Sequence, residues 1–208
     1  MTTGADLLDL SPVMPVVVID DVSDAVPTAR ALLAGGIGVI ELTLRTPVAL
    51  AAIERVAAEV PEIVIGAGTV TSPAQAKEAA DAGAKFLVTP GTTDAVLEAA
   101  FATGLPFLPG ASTVSEAMRL AERGLTALKF FPAEASGGVA YLKSIAGPLP
   151  GLRFCPTGGI TVATAPDYLA LPNVGCIGGS WLTPKKSLAD KDFATVERLA
   201  AEAATLAR

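Results

Sequence analysis

The 208-residue chain carries 21 acidic residues against 15 basic ones, a formal net charge of −6, and it has no histidine. Imidazole metal sites, Ser-His and Cys-His nucleophile pairs and histidine acid–base chemistry are thereby excluded, so any catalysis must run on Lys, Glu, Asp, Tyr, backbone donors or a cofactor. An acidic chain whose one basic cluster is Lys185-Lys186 lacks a nucleic-acid footprint, and Gly, Pro or a charge breaks every apolar stretch short of the roughly 18 residues of a membrane span.

Hydrophobic residues make up 51% of the chain and charged ones only 17%, enough to close one sizeable core and too short for two comfortable domains. Residues 1–208 are therefore read as a single domain, with 1–13 as a short lead-in. That lead-in, MTTGADLLDLSPV, holds acids and no Lys or Arg, unlike a secretory signal, so a cytoplasmic protein is expected. The first predicted strand, VVVID (16–20), runs into a helical stretch, DAVPTARALLAGG (24–36). The turn between them has no GxGxxG fingerprint, which weighs against a doubly wound open sheet.

The second strand, IGVIELTL (37–44), continues into Arg45-Thr46. Alternation sends Glu41, Thr43 and Arg45 to one side and the leucines to the other. A solvated ion pair at a strand edge is one reading. The other is a carboxylate suited to proton transfer and a guanidinium suited to gripping a substrate carboxylate. After a helix at 49–60, the third strand, IVIGAG (63–68), ends in GAGT (66–69), where small residues leave room for a ligand and Thr69 adds a hydroxyl; a tight turn explains it equally.

The next helices open as helices do, at Thr71-Ser72-Pro73, Thr92-Thr93-Asp94 and Ser112 to Glu116, and close on Gly83, Gly104 and Gly124, as an earlier one does on Gly36. Strands four and five, KFLVTP (85–90) and LPFLPG (105–110), end in Pro-Gly pairs read as loop punctuation. The sixth strand, LKFF (128–131), carries Lys129. The seventh and eighth, LRFCPTGG (152–159) and VGCIGG (174–179), precede a last helix over about 190–207. Their cysteines, Cys155 and Cys176, read as buried free thiols. Eight βα units with continuously apolar strands imply a parallel sheet closed into an α/β (β/α)8 TIM barrel.

In such a barrel the site lies where strands end. Gly158, Gly159, Gly179 and Ser180 fall at the ends of strands seven and eight, where backbone N–H groups can approach a phosphate; turns also use paired glycines freely. Lys129 alone among seven lysines falls near the end of a strand, between Leu128 and Phe130. It is either a snorkelling side chain or an amine made nucleophilic by desolvation and by a nearby positive charge such as Arg45. In the second case Lys129 attacks a 2-keto acid to form a Schiff base, Arg45 and Thr69 hold the carboxylate, and Glu41 moves the protons. That is a class I aldolase, with the Lys129 imine in place of a metal or cofactor.

The stretches IELTLRTP (40–47), VIGAGTV (64–70), KFLVTPG (85–91), LPFLPGASTVSEAM (105–118), LKFFPAEASGG (128–138), IAGPLP (145–150), LRFCPTGGI (152–160) and CIGGSWL (176–182) closely resemble the 2-keto-3-deoxy-6-phosphogluconate/4-hydroxy-2-oxoglutarate aldolase family. The resemblance runs from about residue 12 to the C-terminus; residues 1–11 and the KKSLADKD loop (185–192) match poorly. It implies a homotrimeric (β/α)8 barrel that splits 2-dehydro-3-deoxy-6-phosphogluconate reversibly into pyruvate and D-glyceraldehyde 3-phosphate in the Entner–Doudoroff pathway. It implies Lys129 as the Schiff-base lysine, Glu41 as the proton carrier, and Arg45 and Thr69 as the pyruvate-binding pair. It further implies Thr157 in stereochemical control and Gly158, Gly159, Gly179 and Ser180 at the phosphate. Rivals are the same chemistry on 4-hydroxy-2-oxoglutarate or the 6-phosphogalactonate epimer, a phosphosugar isomerase with Glu41 as base, and a non-catalytic phosphosugar-binding barrel.

Overall fold

The computed structural model of the chain describes residues 4–206. A one-turn helix α1 (Gly4–Leu7) precedes strand β1 (Val13–Val17) and a 3-10 turn at Val22–Asp24. Then follow α2 (Ala25–Ala34), β2 (Val39–Thr43), α3 (Ala49–Glu59), β3 (Val64–Gly68), α4 (Pro73–Asp81), β4 (Leu87–Val88) and α5 (Asp94–Thr103). The second half runs β5 (Phe107–Leu108), β6 (Gly110–Ala111), α6 (Val114–Glu122), β7 (Ala127–Phe130), α7 (Gly138–Ala146), β8 (Arg153–Pro156) and α8 (Ala165–Leu169). It ends with β9 (Ile177–Gly179), α9 (Lys185–Ala189) and α10 (Phe193–Ala204).

The strand pairings are parallel, in two hydrogen-bonded runs, β5-β4-β3-β2-β1-β9 and β6-β7-β8. β5 and β6 are halves of one barrel strand interrupted at Pro109, which has no N–H to give a ladder. Bridges Phe154↔Val174 and Thr157↔Gly178 join β8 to β9 and close the ring. The result is the expected eight-membered (β/α)8 barrel.

Local chemistry explains the helix boundaries. Ser72, Thr93 and Thr113 cap α4, α5 and α6 by accepting from backbone N–H groups of the first turn, and Glu116 completes a capping box with Thr113. Gly104 ends α5 at φ 70°, a left-handed conformation that glycine adopts without a Cβ penalty. Outward strand residues such as Ile40, Leu42 and Ile65 meet helix residues such as Leu32 of α2 and Ile53 and Val56 of α3 in one buried cluster. Burying each such side chain contributes about 1.5–3 kcal/mol.

Several boundaries differ from expectation. β1 starts at Val13 rather than 16, and runs through Pro15, because Val13, Met14 and Pro15 find register partners in Ile177, Gly178 and Gly179. The lead-in is also tied down, with Leu7 and Leu8 fully buried. The last helix starts at Phe193, after Asp192 accepts from Thr195 N–H at 3.1 Å, and α9 occupies part of what reads as a loop. The ends of the expected domain (residues 1–3 and 207–208) and of the expected last helix (207) lie outside the described residues. Cys155 and Cys176 are buried and outside any disulfide, as expected, and no described helix is long and apolar enough to cross a membrane.

Candidate active site

β2 and β7 stand four strands apart whichever way the ring is followed, so their inward side chains approach from opposite walls. Glu41 projects inward from β2, level with its register partners Val16 and Gly66. Lys129 projects inward from β7, level with Gly110 and Cys155. They meet across the lumen: Lys129 Nζ donates to Glu41 Oε1 at 3.0 Å and lies 3.4 Å from Oε2. Their side chains are only 4% and 2% exposed. Removing two charges from water is expensive, and such a pair is often no better for stability than well-packed hydrophobic residues. A buried ion pair at this position is thus better explained by chemistry than by folding. The head of Lys129 finds a carboxylate, as the packing reading also allows, but it does so inside the lumen and not at the surface.

The ring of Phe131 lies 5.7 Å from Lys129 Nζ, within cation–π range. The positive neighbour expected from Arg45 is replaced, at contact distance, by the Glu41 carboxylate.

Glycines clear the lumen for this contact. A Cβ on Gly68 would lie 2.0 Å from Glu41 Oε1, and one on Gly66 would lie 2.3 Å from the Phe86 ring. The small residues of the third strand therefore make room for the protein's own Glu41 and Phe86, which corrects the expectation that they leave space for a ligand. Gly110 is likewise more than punctuation. It is the register partner of Lys129, and a Cβ there would lie 2.4 Å from the Pro90 carbonyl carbon. Gly68→Ala should push the flexible Glu41 side chain aside and lower kcat by about 10²-fold, the scale of an ångström-sized misplacement. Circular dichroism should show the barrel still folded; normal turnover in this variant would mean that the placement of Glu41 is not critical.

Arg45 does not lie on the strand. β2 ends at Thr43, whose hydroxyl donates to Val17 O at 3.0 Å, and Arg45 N–H turns back to Thr43 O. From this exposed turn Arg45 Nε donates to Thr69 Oγ1 at 3.0 Å, so the two expected carboxylate binders meet at the rim. Thr69 is held at φ 58°, an uncommon conformation for a residue with a Cβ.

Thr157 lies two residues beyond Cys155 on the same side, one layer nearer the mouth than Lys129. Its hydroxyl is pressed so closely on Gly178 that a Cβ there would sit 2.1 Å away. The Thr157↔Gly178 bridge sets the two glycine segments side by side, with Gly158 and Gly159 at φ 105° and 81° and Gly179 and Ser180 next to them. Close packing accounts for part of this: a Cβ on Gly159 would meet Glu134 Cγ at 2.7 Å, and one on Gly179 the Trp181 ring at 2.5 Å.

One contact has no simple sequence signal. Tyr168, fully buried, donates its hydroxyl to Glu134 Oε1 at 2.6 Å. Burial, reinforced by the hydrogen bond and charge of Glu134, holds the phenol well above the usual tyrosine range. Glu134 backs the Gly158-Gly159 turn, its own N–H donating to Gly158 O at 3.1 Å. Phe131, by contrast, follows from the period-two alternation through Lys129, whereas Cys155 is placed by the register of β8 on β7.

Comparison with known proteins agrees with this geometry. Residues 5–199 match the family model for KDPG and KHG aldolase. The chain is 51% identical over 202 residues to the 2-dehydro-3-deoxy-phosphogluconate aldolase of Dickeya dadantii (strain 3937), covering 97% of this chain and 95% of that one. Identity and coverage are the same for the KHG/KDPG aldolase of Escherichia coli (strain K12). A crystal structure of KDPG aldolase from Legionella pneumophila, with pyruvate captured at low pH as a covalent carbinolamine intermediate, superposes with a TM-score of 0.96 at 43% identity over 98% of this chain and 99% of that one. The Zymomonas mobilis ZM4 enzyme with 3-phosphoglycerate gives 0.94 at 45% identity, over 99% and 96%.

Proposed function

Since the chain belongs to the KDPG and KHG aldolase family, we propose that its barrel mouth is the site of a class I aldolase acting on 2-dehydro-3-deoxy-6-phosphogluconate. The products are pyruvate and D-glyceraldehyde 3-phosphate. The observation that carries this reading is the buried Lys129–Glu41 hydrogen bond across the lumen.

Glu41 takes a proton from Lys129, and the neutral amine attacks the C2 carbonyl. The resulting carbinolamine loses its hydroxyl as water, with Glu41 returning the proton, and an iminium is left on Lys129. A base then removes the proton of the C4 hydroxyl, and the C3–C4 bond breaks. Its electron pair moves into the iminium to give an enamine, and the aldehyde departs. Protonation of the enamine at C3 and hydrolysis of the imine release pyruvate and restore the lysine. The iminium is the electron sink throughout, so the step balances without a further reagent.

Arg45 with Thr69 holds the C1 carboxylate in this reading, and their 3.0 Å contact at the rim supports it. Thr157, one layer above Lys129, faces the C4 hydroxyl. Gly158, Gly159, Gly179 and Ser180 take the phosphate. The galactonate epimer is the more distant reading, since the structure named for KDPGal shares 27% identity with a TM-score of 0.81. A second substrate, 4-hydroxy-2-oxoglutarate, is supported by relatives named for both activities; it would use the same imine without the glycine segments. The covalent pyruvate adduct of the Legionella relative argues against isomerase and binding-only readings, which form none.

Two further parts of the proposal rest on lighter support. Two buried cysteines outside any disulfide suit a reducing cytoplasm. Exposed Val114 and Met118, one turn apart on α6, suit a subunit contact in a homotrimer. Cell fractionation tests the first. Sedimentation equilibrium tests the second, where three chains of 20.9 kDa are expected and a monomer mass would sink the trimer.

Borohydride reduction in the presence of pyruvate, followed by peptide mapping, tests the mechanism. A reduced pyruvyl group on Lys129 is the expected product. No adduct, or label scattered over surface lysines, would remove the Schiff base and with it the aldolase reading.

A further inference from the structure

A cavity of about 670 Å³ opens beside the barrel mouth, between the end of β1 and α9. Val16 and Val18 line it together with Ser180, Asp20, Lys185 and Lys191. It adjoins the site on two sides: Val16 is the register partner of Glu41, and Ser180 ends the glycine segment assigned to the phosphate. That segment offers a phosphate dianion only uncharged donors. Backbone donors can hold a phosphate by themselves, so a cation beside them would add selectivity for its charge, and three carboxylates, Asp20, Asp21 and Asp24, line the same cavity.

The two lysines of the cavity are differently placed to offset them. Lys191 is committed: it pairs with the buried Asp24, lies 3.4 Å from Asp21 and touches Ser23 Oγ. Among the described residues Lys185 pairs with Asp20, at 3.3 Å, and the two side chains are 88% and 60% exposed. Exposed pairs of this kind hold weakly, so exchanging the partner costs little. A phosphate dianion carries more charge and more acceptor oxygens than one carboxylate.

We propose that Lys185 is a specificity-determining residue, which leaves Asp20 to pair with the substrate phosphate at Ser180 and so selects phosphorylated over unphosphorylated 2-keto acids. The proposal rests on the aldolase reading and adds to it a charged group from the segment that follows β9. It also gives Asp20 a role of opposite sign, as the competitor that the phosphate must displace.

The test is steady-state cleavage by the full chain of 2-dehydro-3-deoxy-6-phosphogluconate and of 4-hydroxy-2-oxoglutarate, compared as a ratio of kcat/KM values. Lys185→Ala should lower that ratio about fivefold, the upper end for an exposed charge pair, with the loss in KM rather than kcat. Raising the salt concentration should shrink the difference between wild type and variant. Asp20→Asn should move the ratio the other way, and the double variant should behave like Lys185→Ala alone. Lys186→Ala, whose lysine pairs with Asp190 and does not line the cavity, serves as the control. All three positions are exposed, so folding is not at issue. An unchanged ratio in Lys185→Ala, or an equal loss on both substrates, would overturn the proposal while leaving the Schiff-base chemistry standing. Failure of the aldolase reading looks different: wild type would trap no pyruvate and cleave neither substrate, and the proposal would fall with it.

Discussion

Lys129→Met should abolish cleavage, lowering kcat by on the order of 10⁴-fold or more, as removal of a nucleophile does, and should leave nothing for borohydride to trap. Methionine has nearly the length of the lysine stem, so the lumen stays filled. The cost falls on Glu41, a carboxylate whose side chain is 2% exposed and whose partner has been removed. Breaking one side of a buried pair typically costs about 3–5 kcal/mol, so the single variant should unfold at markedly lower urea. Lys129→Met combined with Glu41→Gln replaces the charge by an amide and should recover most of that stability without recovering activity. Activity and folding are thereby separated. A single variant that is inactive and also unstable is expected from the geometry, whereas a double variant that still fails to fold would make Lys129 a packing residue. Turnover near wild type in either would end the Schiff-base mechanism.

The barrel was legible because its signals are local. Apolar strands of period two, hydroxyl caps such as Ser72 and Thr113, and closing glycines such as Gly104 each act over a few residues. Lys129 stood out for the same reason, as a charge inside an apolar strand. The partner of Lys129 was not legible from spacing, since Glu41 lies 88 residues away on the far wall and only ring closure brings them together. Gly68 shows the same limit. Its neighbours in sequence suggest a ligand space, and the atom it makes room for belongs to β2. The passage of β1 through Pro15 likewise depends on β9, which folds in from the other end of the chain. Arg45 and Thr69 lie in contact, but Arg45 reaches Thr69 from a turn after β2 and not by strand alternation. Tyr168 under Glu134 had no signal at all, as a tyrosine in the short helix APDYL reads as core.

Glu41→Gln should lower kcat by about 10²–10⁴-fold, the range for loss of general acid–base catalysis. Glutamine still offers Lys129 an oxygen of the same reach, so the lysine keeps its position and the barrel its fold. What disappears is the capacity to take up and return a proton. Each stage that needs that transfer should slow together: carbinolamine formation, its dehydration, and protonation of the enamine at C3. The last stage can be isolated, because uptake of deuterium into the methyl group of pyruvate, followed by NMR, reports enamine protonation without any aldehyde. Deuterium uptake falling in step with cleavage would assign the proton to Glu41 throughout. The rival is Glu134, whose carboxylate is tethered to Tyr168 at 2.6 Å and backs the glycine turn instead of reaching Lys129. Near-normal cleavage in Glu41→Gln with a large loss in Glu134→Gln would transfer the role to Glu134 and leave the cross-lumen pair as a device for placing the lysine.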